Sequence, residues 1–360
     1  MAKRKLTRQQ KWRIEKIQQD RIDRANKKSQ TIENSFDQNY QSDNSQQHHG
    51  RIIKNYGQSL DVEDINSLKV YRCSFRQNLG AIVAGDEVVW LSLKTNTKNT
   101  SGKELQYDGV ISGVKERRSL LSRPDGYGNK KTIAANIDQI LIINAPSTIA
   151  CTSAPRLNTG LIDRYLIAAE SYQIQAVIAI NKIDLLSEPE LLEIKEKLQV
   201  YKKLGYKIVF SSTQKKPFLN EFTSLLSSKN SIFVGQSGVG KSSLLNCLLP
   251  EAQAKTAAVS AVTAKGRHTT SAAQLYHLEQ AGIKDATLID SPGIREFGLW
   301  DISEADVHNG FKEIKEFSKS CRFRDCKHEN EPNCAILEAI EAQNISPLRY
   351  QSYQKIINSL

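Results

Sequence analysis

Between about residues 66 and 124, short runs of β-branched and aromatic residues alternate with turn residues. LKVYRCSF (68–75), EVVWLSL (87–93) and YDGVISGVKE (107–116) are broken by Gly85-Asp86 and Gly102. This rhythm predicts short antiparallel strands. From about 132 to 297 the pattern changes to unbroken apolar runs: QILIINA (139–145), AVIAIN (176–181), KIVFSS (207–212), SIFVG (231–235) and ATLID (286–290). Strands that are apolar on both faces belong inside a parallel sheet. Amphipathic segments near 160–172, 188–204 and 241–249 intervene and predict the covering helices. Beyond 300, SEADVHNGFKEIKEFSKS and the last 25 residues have helical periodicity. No internal repeat is present.

These patterns divide the chain into four parts. Residues 66–124 are expected to form a small β-barrel of the oligonucleotide-binding (OB) type, although an SH3-like barrel fits the strand spacing equally well. Residues 125–297 alternate strand and helix, the signature of a doubly wound α/β domain. Residues 298–360 form a helical tail. Residues 1–65 read as a basic, largely disordered extension, because SQTIENSFDQNYQSDNSQQHHG (29–50) is polar and has no apolar period.

Charge sharpens this division. The chain has 50 Lys and Arg against 39 Asp and Glu, a net of +11. Residues 1–28 hold 11 of those cations and three acids, so +8 lies in the first 28 positions. A basic tail of this kind suits a polyanion, with nucleic acid the first choice and a merely solubilising tail the alternative. Arg117, Arg118 and Arg123, at the exit of the barrel, read in isolation as a solvated edge. No run is long enough for a membrane span and no apolar leader follows the basic start, so a cytoplasmic protein with no membrane partner is expected.

The chemistry lies in short motifs. GQSGVGKS (235–242) matches G-x-x-x-x-G-K-[ST] between a strand and a helix. Its glycines let backbone N–H groups face phosphates. Lys241 would bridge the β- and γ-phosphates, and the Ser242 hydroxyl would ligate Mg²⁺. The expected contacts run through Gly235, Gln236, Ser237, Gly238, Val239, Gly240, Lys241, Ser242 and Ser243. DSPG (290–293) offers Asp290 to the Mg²⁺ shell and the Gly293 N–H to the γ-phosphate. NKID (181–184) selects the base, since the Asp184 carboxylate accepts both the ring N–H and the exocyclic amine of guanine, with Asn181 and Lys182 shaping the pocket. Ser211 and Ser212 would complete it. In KGRHTTS (265–271), Thr269 and Thr270 each suit a switch that reaches Mg²⁺, and Thr270 is preferred. Ile294 stands where a water-positioning Gln follows D-x-x-G in Ras-like proteins, which leaves His268 as the candidate to orient water.

Cysteines are the last signal. Cys73, Cys151 and Cys247 are scattered, whereas Cys321-x₄-Cys326-x-His328-x₅-Cys334 groups three thiols and an imidazole within 14 residues. Such a set fills a tetrahedral zinc ion and leaves no open position, so one structural Zn²⁺ is expected.

The motifs occur as base reader, Ser-Ser loop, phosphate loop, Thr switch and D-x-x-G, a circular permutation of the usual GTPase order. Across 66–340 the chain resembles the RsgA (YjeQ) family of bacterial small-ribosomal-subunit-dependent GTPases. The resemblance is carried by GD (85–86), R-x-S-x-L-x-R-P (117–124), IAANIDQILII (133–143), NKID, GQSGVGKSSLLN, GRHTT, DSPGIREFGLW and the cysteine cluster. It implies an OB-fold, a permuted GTPase and a zinc domain that bind the 30S subunit and its 16S rRNA late in maturation. It further implies GTP hydrolysis to GDP that is slow alone and stimulated by the subunit, with hydrolysis promoting release and His268 taking part in turnover. The partners expected are therefore the 30S subunit, 16S rRNA and GTP/GDP with Mg²⁺, bound by a monomer. The alternatives are a GTP-gated RNA-binding assembly factor with negligible turnover and an ATP-using enzyme.

Overall fold

The computed structural model describes residues 47–76, 79–92, 97–98, 104–105, 107–124, 130–146, 157–214, 217–249, 273–291 and 302–360. The chain separates into two compact units, one holding 58–82, 87–115 and the first part of the first strand, the other holding 52–57, 83–86 and 116–360.

In the first unit, β1 (Gln47–Asn55), β2 (Leu60–Asp64), β3 (Val70–Phe75) and β4 (Glu87–Ser92) are joined by β7 (Gly109–Val114). Two-residue strands β5 (Thr97–Lys98) and β6 (Glu104–Leu105) form a separate ladder between β4 and β7 in the chain. The order β1-β2-β3-β7-β4 closes through β1–β4, giving a five-stranded barrel. Leu60, Val62, Cys73, Val88, Trp90 and Ile111 fill it.

The barrel begins at Gln47, not at 66 as the hydrophobic pattern suggests, and the tail of the expected linker is strand. The pattern misses β1 because QHHGRIIKN is mostly polar on paper. It misses β2 because Glu63 and Asp64 are acidic yet buried. Asp64 is accommodated by local hydrogen bonds: its Oδ1 accepts from the Asn66 and Ser67 amides and from the Ser67 hydroxyl. These bonds build the turn into β3.

The second unit opens with a hairpin, β8 (Leu120–Pro124) and β9 (Lys130–Ala135). A sheet follows, made of β10 (Gln139–Asn144), β11 (Gln175–Ile180), β12 (Lys207–Phe210), β13 (Asn230–Val234), β14 (Gln274–His277) and β15 (Thr287–Asp290). Its order is β12-β11-β10-β13-β15-β14, parallel except for β14, which runs antiparallel to β15. Helices α1 (Thr159–Ser171), α2 (Glu188–Lys203), α3 (Pro217–Leu226) and α4 (Lys241–Leu248) connect the strands. All six residues of β10 are buried, as its unbroken apolar run requires. One apolar cluster packs α1 and α2 on one face, and a second packs α3 and α4 on the other.

Helices α5 (Glu304–Gly310), α6 (Lys312–Phe317), α7 (Ala335–Glu341) and α8 (Pro347–Ile357) form the tail. Their core, Val307, Phe311, Ile314, Ile336 and Ile356, also includes Ile167 of α1 and Cys334. A buried ionic group reinforces the contact. Arg349 donates through Nε to Glu313 Oε1 at 2.6 Å and through Nη1 to Asp163, whose Oδ1 also accepts from the Tyr201 hydroxyl at 2.7 Å. Arg117 is likewise no solvated edge, since its guanidinium grips the buried Asp86 carboxylate at 2.7 and 2.8 Å. Arg118 pairs with Asp138, and the Arg123 side chain lies outside the described residues. No helix among the described residues is long and apolar enough to cross a membrane.

Candidate functional site

Because β10, β11, β12, β13 and β15 run parallel, the loops that follow them leave the same edge of the sheet. NKID follows β11, the Ser-Ser pair follows β12, the glycine-rich loop follows β13 and Asp290 ends β15. The order of the motifs in the chain is therefore irrelevant to their meeting in space. This edge is where ligands bind in open α/β sheets.

The glycine-rich loop turns sharply between β13 and α4. Gly235 has φ 145°, and a Cβ there would sit 2.1 Å from the Ile143 carbonyl oxygen. Gly240 has φ 94°, and its Cβ would meet Asn181 Nδ2 at 2.3 Å. Only glycine satisfies both backbone and space here. Gln236, Ser237 and Gly238 are exposed on the rim, whereas Val239 is buried beneath it. Lys241 folds back over the loop, its ammonium donating to the Gly235 and Gln236 carbonyls at 2.6 and 2.7 Å. Ser242 and Ser243 occupy the exposed first turn of α4.

The base-reading loop is fastened to its neighbours. Asn181 is buried; its backbone N–H donates to the Asn144 carbonyl at 2.8 Å and its Nδ2 to the Val239 carbonyl at 2.9 Å. Asn181 Oδ1 accepts from the Ser211 hydroxyl at 3.2 Å. Lys182 takes a left-handed conformation, φ 62°, which turns the chain into a single 3₁₀ turn containing Asp184. The buried Ser212 hydroxyl donates to Asp184 Oδ1 and accepts from the Gln214 amide at 3.1 Å. One carboxylate oxygen is thus held from behind, and the group remains partly exposed. His268, Thr269, Thr270, Gly293 and Ile294 lie outside the described residues.

Asn144 is a site residue that sequence reasoning passes over. It ends the apolar run of β10, and its side chain donates to the Asn158 carbonyl at 3.0 Å while its own carbonyl holds Asn181. An amide closing an otherwise apolar strand is the signal that marks it.

The cysteine cluster is a second centre. The ligating atoms of Cys321, Cys326, His328 and Cys334 all lie within 4.8 Å of one another. His328 Nδ1 is 3.6 Å from Cys321 Sγ and 3.5 Å from Cys334 Sγ, and those two sulfurs are 4.0 Å apart. Zinc bonds of about 2.3 Å to sulfur and about 2.0–2.1 Å to nitrogen give tetrahedral edges of about 3.6–3.8 Å. The donor set fits that ion. Burial lowers the His328 pKa and so favours the neutral ring a cation needs. Glu331 braces the loop, accepting from the Lys327, Glu329 and Asn330 amides, bonds that pull its pKa down to about 2. The Tyr350 hydroxyl donates to the His328 carbonyl.

Residues 114–300 match the RsgA GTPase family. A small ribosomal subunit biogenesis GTPase RsgA from Mannheimia succiniciproducens is 40% identical over 359 residues, spanning 100% of this chain and 96% of its own. The protein of the same name from Marinobacter nauticus is 42% identical over 365 residues, spanning 100% and 97%. Among solved structures, YjeQ from Thermotoga maritima superposes with a TM-score of 0.64 at 29% identity, covering 88% of this chain and 99% of the other. YloQ, described as a circularly permuted GTPase, gives a TM-score of 0.64 at 27% identity over 87% and 95%.

Proposed function

Since this chain belongs to the RsgA family of small ribosomal subunit biogenesis GTPases, we propose that it hydrolyses GTP on the 30S subunit late in maturation and that hydrolysis promotes its release. Family membership makes it a GTP hydrolase acting in small-subunit biogenesis. The finer reading, with 16S rRNA as the bound surface, a cytoplasmic location and a monomeric state, is ours.

The observation that carries it is the joining of NKID to the phosphate loop through Asn181 and Val239. That link sets a guanine reader and a phosphate cradle at a fixed separation. Asp184, held by Ser212 on one side, accepts the N–H and amine of guanine, and Ser211 and Ser212 line the pocket. Adenine has no matching pair of donors. Lys241 exchanges its two loop carbonyls for β- and γ-phosphate oxygens. The Ser242 hydroxyl, Asp290 and Thr270 would hold Mg²⁺, which supplies charge neutralisation at the phosphates. His268 orients the attacking water, a role left open by Ile294 in the position of the usual Gln. Cys321, Cys326, His328 and Cys334 would hold one structural zinc.

The deciding experiment compares GTP and ATP hydrolysis by the purified protein with and without isolated 30S subunits. GTP-selective turnover that rises steeply with subunits is the expected result. Guanine-selective binding with turnover unchanged by subunits would make GTP an affinity switch and overturn the timer.

A further inference from the structure

Between the first two cysteines of the cluster the chain reads Cys321-Arg322-Phe323-Arg324-Asp325-Cys326. Phe323 is 41% exposed, although the nearby Phe311 is completely buried in the helical core. The Arg322 guanidinium lies 5.5 Å from the Phe323 ring centroid. Lys319, Arg322, Arg324 and Lys327 are all exposed. Over residues 318–328 these four cations face a single acid, Asp325. None of the four has an ion-pair partner among the described residues, whereas Lys312 in the same domain pairs with Glu170 at 2.8 Å. Phe323 and Arg324 also line a cleft of about 810 Å³ together with Lys319, His308, Tyr353 and Asn358.

An exposed aromatic ring is costly unless something covers it, and this one sits on a short loop pinned at both ends. Its carbonyl accepts from the Cys326 amide at 3.4 Å, and metal ligands stand two residues before and three residues after it. A ring held this way loses little freedom on binding, which is the property of a stacking platform. Cations flanking an aromatic face match one ligand chemistry well: a flat base with phosphates on either side. A duplex offers no free base face. An acidic peptide satisfies the cations but leaves the ring uncovered.

We propose that the Cys321–Cys326 knuckle binds single-stranded ribosomal RNA by stacking an unpaired base on Phe323, with Lys319, Arg322, Arg324 and Lys327 against the flanking phosphates. The proposal deepens the reading of the 30S subunit as partner and rests on it. The cleft has the volume of a small-ligand site, enough for a nucleotide. Asn358 lines it and carries both a donor and an acceptor for a base edge.

The test uses the full-length zinc-loaded protein and three forms of position 323. Phe323→Leu keeps an apolar side chain but removes the aromatic face; Phe323→Trp keeps the face and adds a fluorophore. Zinc content and thermal midpoint verify that both variants are folded. Loss of a stacked base weakens binding by roughly 5- to 100-fold, so Phe323→Leu should bind 30S subunits at least about fivefold more weakly than wild type, and Phe323→Trp within about twofold. Indole emission of Phe323→Trp should be quenched, relative to wild type, by a 12-nucleotide single-stranded RNA and not by poly-glutamate. Wild-type affinity in Phe323→Leu overturns the proposal, and so does equal quenching by poly-glutamate, which would identify an acidic protein surface as the occupant. If wild type itself fails to bind subunits, the partner assignment falls, and quenching by the oligonucleotide still decides whether the knuckle stacks bases.

Discussion

Asn181 Nδ2 donates to the carbonyl of Val239 at 2.9 Å, so the residue that opens the base-reading loop is hydrogen-bonded to the floor of the phosphate loop 58 positions later in the chain. Both partners are buried. The contact explains why Gly240, beside Val239, has no room for a side chain: a Cβ would run into the same amide. It also makes a permuted chain equivalent to an unpermuted one at the site, since the two loops are joined through space and not through the intervening sequence.

Asn181→Ala removes the donor to Val239 and the acceptor for the Ser211 hydroxyl together. Leaving buried polar groups without partners costs about 1–3 kcal/mol. Binding of a fluorescent GDP analogue should weaken by about tenfold or more, with GTP affected in parallel. Wild-type affinity for both would mean that the two loops hold their separation without this amide.

Asp184→Asn tests the base reader. The Ser212 hydroxyl can still donate to the amide oxygen, so the loop keeps its shape. The other oxygen is replaced by an NH₂ group that cannot accept from guanine and can donate to a carbonyl. Selectivity should move from guanosine to xanthosine nucleotides, measured by competition between the two. Unchanged preference for GTP would exclude Asp184 as the base contact.

Sequence pattern located the α/β sheet and its loops because parallel strands buried on both faces are written in unbroken apolar runs, as in Ile140–Ile143. The same logic failed for β1 and β2, where burial is met by polar side chains with local partners. Asp64 reads as surface until its bonds to Asn66 and Ser67 are seen. Arg117 and Arg349 illustrate a related limit. Each is a cation satisfied by carboxylates distant in the chain, Asp86 in one case, Asp163 and Glu313 in the other. Pairings across 31 and 186 positions leave no local trace. The metal ligands were legible because zinc needs its donors close in sequence as well as in space.

Arg349→Met should destabilise the protein strongly. The guanidinium is fully buried between two carboxylates, and removing one partner of such a group costs about 3–5 kcal/mol. The deficit should shrink as pH falls. Burial already raises the Asp163 pKa against the pull of Arg349, and without the cation its neutral form is favoured further. A carboxyl whose folded pKa is raised gains stability on protonation, so the variant recovers on the acid side. Chemical denaturation of both proteins at about pH 8 and pH 5.5 checks this. A deficit independent of pH would indicate lost packing against Phe311 and Tyr201 alone.

The Glu331 carboxylate gathers three backbone amides of the loop that contains His328. Its pKa is depressed to about 2, so its contribution is complete above the ordinary glutamate value and fades as pH falls toward 2. At neutral pH, Glu331→Gln loses the charge and one acceptor oxygen. Zinc transfer to a chromogenic chelator should then be faster than from wild type, with one zinc per chain still bound at the start. An unchanged rate would show that the cysteines alone hold the loop.

Zinc removal is expected to loosen more than its own loop. Cys334 is packed into the apolar cluster that contains Phe311, Ile336 and, from α1 of the GTPase domain, Ile167. Structural zinc contributes about 10–16 kcal/mol of apparent folding free energy in small metal-dependent domains, so the helical tail should not remain packed without it. Chelation should lower the thermal midpoint of the whole chain and expose Cys334 to thiol reagents. Guanine nucleotide affinity should stay within about twofold, because the bonds that shape the nucleotide site run between the loops after β10, β11, β12 and β13 and do not involve the tail. A parallel collapse of nucleotide binding would mean that α1, held by Ile167 on one side and covering the sheet on the other, transmits the state of the metal to the nucleotide loops.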